Sequence, residues 1–101
     1  MATPKYPQLW HLVVGYFNED ADMWGRNIEE IVETYMRQSD PDMRKSVMRD
    51  IEHIKADHPF DLDAAFENMF GGEPDPALWG YTTESFLNEI ARVLRLEGNS
   101  T

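Results

Sequence analysis

Residues 20–31 come close to a cation loop. Asp20, Asp22 and Gly25 stand at positions one, three and six, where a calcium loop has two carboxylates and a sharp turn. Position five is Trp24, which has no oxygen to offer. Position twelve is Ile31, where calcium needs a bidentate Glu. With two ligands missing, no specific calcium site is expected. A transition-metal site is not expected either. His11, His53 and His58 include no pair three or four residues apart, and the chain has no cysteine. Ser39, Ser46, Ser85 and Ser100 lie in no nucleophile elbow. Gly71-Gly72 precedes Glu73 and not Lys, so it is no phosphate loop. Glu19, Asp20 and Asp22 could do acid–base work, but clustered carboxylates are more often solvated. The expectation is a protein without catalysis, metal or cofactor. A hydrolase using a metal at 19–22 is the enzymatic alternative.

Charge is more informative than any of these motifs. Nineteen acids face nine bases among 101 residues, a formal net charge of −10. Such a chain repels nucleic acid and anionic membranes, and it attracts cationic partners. The charge is also polarised. Lys55 to Arg92 encloses no other base but contains Asp57, Asp61, Asp63, Glu67, Glu73, Asp75, Glu84 and Glu89. Residues 6–25 hold Glu19, Asp20 and Asp22 and no Lys or Arg. The bases gather at 44–55 and near the C-terminus. Trp24, Trp79 and Tyr81 stand beside the acids, as core plugs or as interface anchors.

The elements that must position these residues are helices. Leu9, Leu12, Val13, Tyr16 and Phe17 recur at helical spacing over 7–17, with Pro7 in the first turn. Ile28, Ile31, Val32, Tyr35 and Met36 repeat it over 28–38 behind an Asn27 cap. Asp40-Pro41 opens a third helix over 41–57, with Met43, Val47, Ile51 and Ile54 inside and Arg44, Lys45, Arg49 and Lys55 making it basic. His53 and Asp57 are spaced as a surface pair on it. A short fourth helix over 62–70, capped by Asp61, ends at Gly71-Gly72. After a turn-rich connection, the last helix starts near Thr82 or Thr83 and runs to about Leu96. The expected fold is all-α, a compact single-domain bundle of about five helices spanning 1–101, ordered over about 6–96. No apolar run approaches the roughly 20 residues of a membrane span. Without cysteine or a signal-like N-terminus, the expected compartment is the cytoplasm.

Two stretches, YPQLWHLVVGYFNEDADMWG with IEEIVETYM after it, and GGEPDPALWGYTTESFLNEIARVL, carry a resemblance over about residues 6–95. They resemble a family of bacterial immunity proteins from contact-dependent growth inhibition (CDI) systems. The most specific part is Tyr16-Phe17 running into Asp20 and Asp22. That family usually follows Tyr-Phe with His-Gln-Asp-Trp-Asp. Here Asn18, Glu19 and Ala21 replace the His, Gln and Trp.

The resemblance implies a small helical protein that binds and neutralises the C-terminal toxin domain of a large secreted adhesin. Such toxins are commonly nucleases, and a nuclease is basic where it grips nucleic acid. Glu19, Asp20, Asp22, Asp61, Asp63, Glu67, Glu73 and Asp75 are the expected electrostatic contacts, with Trp24 and Trp79 as anchors. Arg44, Lys45 and Arg49 mark the next candidate face. The alternative is an acidic nucleic-acid mimic or regulatory adaptor that binds a basic protein.

Overall fold

The computed structural model describes residues 5–17, 21–70 and 76–98. Among them are five α-helices: α1 (Pro7–Tyr16), α2 (Ile28–Arg37), α3 (Pro41–Asp57), α4 (Leu62–Phe70) and α5 (Thr83–Gly98). No described residue lies in a strand. The chain is an all-α bundle in which α1 and α5 form the centre. α1 packs on α2, α3 and α4, and α5 packs on α2, α3 and α4.

The buried side chains fall at helical spacing on every helix, although Leu62 and Met69, expected on the inner face of α4, are only half-buried. Leu9, Leu12, Val13 and Tyr16 are buried on α1; Ile28, Ile31, Val32, Tyr35 and Met36 on α2. Val47, Ile51 and Ile54 do the same for α3, while Met43 at its outer end is only half-buried. α4 turns Ala65, Phe66 and Phe70 inward, and α5 turns Phe86, Leu87, Ile90, Val93 and Leu94 inward. Between them runs an aromatic series: Phe17 to Phe86 at 5.0 Å, Phe86 to Phe66 at 5.9 Å, Phe66 to Phe70 at 4.8 Å. These pairs are edge-on or tilted, as ring quadrupoles prefer.

The helix starts are capped in three ways. Asn27 and Asp40 accept the N–H groups of Glu30 (2.9 Å) and Met43 (2.8 Å), the local caps expected from sequence. Thr82 and Ser85 cap reciprocally, each side-chain oxygen accepting the other's N–H, at 3.1 and 2.9 Å. α1 has no cap of its own. Its Gln8 and Leu9 N–H groups donate instead to Asp50 Oδ2 of α3, at 3.0 and 3.1 Å. Tyr6 adds a second tie to α3, its hydroxyl donating to Asp57 at 2.5 Å. Asp57 is thus engaged by Tyr6 and by Lys5 (3.4 Å), and not by the expected His53.

Among the described residues the α1–α2 and α4–α5 connections each carry a 3-10 turn, Ala21–Met23 and Pro76–Trp79. After the first, Gly25 runs close under the start of α2. A Cβ there would lie 2.8 Å from the Glu30 carbonyl carbon and from the Ile31 nitrogen. After the second, Gly80 turns the chain into α5 with a φ of 83°, a conformation that favours glycine.

Candidate functional site

The acidic surface begins where α3 ends. His58 closes α3, donating its N–H to the Ile54 carbonyl at 3.0 Å, and Pro59 prevents continuation. Asp61 then sits at the N-cap position of α4, where its carbonyl accepts the Ala65 N–H at 3.0 Å. Its carboxylate lies against His58 Nδ1, both oxygens at 3.2 Å. Because Ala65, Phe66 and Phe70 face inward, Asp63, Ala64, Glu67 and Asn68 must face out, and all four are exposed. The start of α5 lies beside the start of α4. Between them is a groove of about 550 Å³, with Asp61, Asp63 and Glu84 around it and Leu62 and Ala64 among its walls. Phe60 stands at this groove, 99% exposed.

None of these carboxylates has a Lys or Arg partner. Among the described residues the Lys and Arg pairs lie elsewhere, Lys5 with Asp57 and Arg92 with Glu89 and Glu29, and the cluster's one basic contact is His58 on Asp61, which is an ion pair only when the imidazole is protonated. Lys55 is engaged with Asn88 across the α3–α5 contact. No Lys or Arg reaches Asp61, Asp63, Glu67 or Glu84 within ion-pair distance. Asp61, Asp63 and Glu84 instead gain from the positive ends of their helices. Where ion pairs do form, titration shifts. The Tyr6 hydroxyl, and then Lys5, hold the Asp57 carboxyl below its usual range. The Arg92 guanidinium, helped by the Tyr81 hydroxyl, does the same for Glu89.

The structure therefore collects Asp61 and Asp63 at one groove, with Glu67 a turn further along the same face of α4. Glu19, Asp20, Glu73 and Asp75 lie outside the described residues, as does the Asp22 side chain, although residue 22 belongs to the first 3-10 turn. The two indoles pack against the core, both half-buried. Trp24 leans on Tyr16, centroids 4.9 Å apart, and its carbonyl accepts the Thr34 hydroxyl at 2.7 Å. Trp79 meets Phe17 edge-on at 6.0 Å. They thus seal the two sides of the last turn of α1. Ile31, the twelfth position of the calcium-like stretch, is fully buried. Among the described residues no three carboxylates or imidazoles are grouped to hold a metal ion.

Phe60 escaped sequence reasoning. It belongs to none of the 3.6-residue stripes, and a phenylalanine between Pro59 and Asp61 reads as part of a turn. That isolation from every stripe was the available signal.

A family model described as CdiI immunity protein matches residues 5–94 of the chain. The chain belongs to that family. No curated protein and no solved structure matches it. The CdiI match takes in α1 to α4 whole and most of α5, so both the core and the acidic groove lie within it. Membership in the CdiI family brings a role in CDI immunity and, as partner, a cognate CDI toxin. Of the three positions that depart from the pattern of the resemblance, Asn18, Glu19 and Ala21, the described residues include Ala21. Ala21, standing where Trp is usual, is buried beside the core. Among its described residues no helix is long and apolar enough to cross a membrane.

Proposed function

We propose that this chain neutralises its cognate CDI toxin domain by one-to-one binding through its acidic surface, in the cytoplasm and without catalysis, and that the toxin is a nuclease. The observation that carries the reading is the set of carboxylates without a Lys or Arg partner at the starts of α4 and α5, in a molecule of net charge −10. A nuclease carries a cationic surface where it grips phosphates. An acidic inhibitor competes for that surface and is steered to it. Glu19, Asp20, Asp22, Asp61, Asp63, Glu67, Glu73 and Asp75 supply the field, and the exposed edges of Trp24 and Trp79 supply contact area. Two or three of the eight acids are expected to carry most of the affinity, since binding energy concentrates in few residues.

The test is co-expression with the toxin domain encoded immediately upstream. Rescue of growth, co-purification at one to one, and nucleic-acid degradation by the toxin alone are expected. Loss of both rescue and co-purification overturns the immunity reading. A toxin that leaves DNA and RNA intact overturns the nuclease assignment. If a variant neutral at all eight acids binds as before, the interface moves to the Arg44, Lys45 and Arg49 face.

A further inference from the structure

The acids of the groove have a local reason to be where they are, because each of Asp61, Asp63 and Glu84 stands at a helix start. Phe60 has no such reason. Its side chain is 99% exposed, against 75% for Met23 and 39% for Trp10, the other large apolar side chains left in water among the described residues. It makes no ring contact with any described aromatic, while Phe66, six residues on, is buried against two. A phenyl ring held in water forgoes the free energy that burial would return. Phenylalanine is among the aromatic residues enriched at protein interfaces. The groove is mixed in character, with Leu62 and Ala64 among its walls and carboxylates at its edge.

We propose that Phe60 is the central anchor of the toxin interface, and that the groove between the starts of α4 and α5 receives a basic segment of the toxin. An Arg or Lys of that segment lies over the Phe60 ring, its stem along Leu62 and Ala64, its cationic head among Asp61, Asp63 and Glu84. Charge complementarity selects this occupant. Three carboxylates without a Lys or Arg partner line the same groove as an exposed aromatic ring, which suits a cation on an apolar stem. A second copy of this chain would bring the same acids into opposition. The inference rests on the immunity reading and specifies where the toxin docks.

The experiment measures binding of the purified upstream-encoded toxin domain to full-length variants, each checked for native helicity and melting. Phe60→Ala is expected to weaken binding about 30-fold, the size of a hot-spot loss, mostly by faster dissociation. Phe60→Trp is expected to stay within about threefold of wild type, because the aromatic face is retained. The D63N/E84Q pair is expected to slow association about fivefold at low salt. Glu52→Gln, an exposed acid on α3, is expected to change nothing. If the wild type binds toxin and F60A binds equally well, the groove is not the interface, although immunity stands. If the wild type neither binds nor rescues, the immunity reading fails and this inference fails with it. If the wild type sediments as a dimer that F60A returns to monomer with toxin affinity unchanged, the occupant is a second copy and the proposal is overturned.

Discussion

Phe60 and Phe66 lie six residues apart and meet opposite fates. Phe66 falls on the inner stripe of α4 and is buried; Phe60 precedes that helix, so no stripe carries it inward. Position relative to a helix, and not side-chain type, separates a core residue from a candidate anchor. The same holds for Tyr6. It lies just outside α1, yet it is buried, and its hydroxyl finds Asp57 on α3. That bond has a pH signature. Tyr6 and Lys5 depress the Asp57 pKa in the folded state. A carboxyl depressed on folding stabilises fully above its unfolded pKa, about 3.9, and this is lost as pH falls through the lower folded value. Tyr6→Phe is therefore expected to melt below wild type at about pH 7, with the gap narrowing below the ordinary Asp range near pH 3.9. Thermal melts across that range check it. A gap that stays constant would mean the bond is not the cause.

At the scale of elements, sequence and structure agree most closely where capping is local. Asn27 and Asp40 sit immediately before the helices they cap, and α2, α3 and α4 begin where expected. α1 is different. Its first N–H groups are satisfied by Asp50, more than forty residues away, and no short-range rule points there. Asp50→Ala is expected to cost about 0.5–2 kcal/mol, the range of a lost cap. Asp50→Asn is expected to cost less, because its carbonyl oxygen still accepts. Denaturant unfolding measures both, and amide exchange is expected to show Gln8 and Leu9 losing protection first. The two 3-10 turns escaped sequence reasoning for a related reason. They are set by how Trp24 and Trp79 seat against Tyr16 and Phe17, which is a tertiary requirement.

For the whole molecule the decisive property is an uneven field. The net charge of −10 is legible in the sequence. Its distribution is not, because long gaps without bases do not say which acids meet. The fold pairs Lys5 with Asp57 and Arg92 with Glu89, while leaving the acids of the α4–α5 groove without a Lys or Arg. Association with the toxin is therefore expected to be strongly salt-dependent. Raising ionic strength from about 50 to about 500 mM should slow association about tenfold or more while changing dissociation little, because screening acts on encounter. Stopped-flow kinetics on the purified pair measures this. A flat salt response would remove electrostatic steering from the reading.

By itself the sequence determined the helix count, the buried stripe of each helix, the acidity and the family resemblance. All of these follow from residue identity and from spacing along one helix turn, which are local properties. Only the tertiary structure decided that Asp50 caps α1, that Trp24 and Trp79 pack on the core, and that Asp61, Asp63 and Glu84 line one groove with Phe60. Each of these joins residues from separate elements. Their proximity depends on how α1 lies on α3, how the loops fold back on the end of α1 and how α4 meets α5, and packing, not periodicity, sets that.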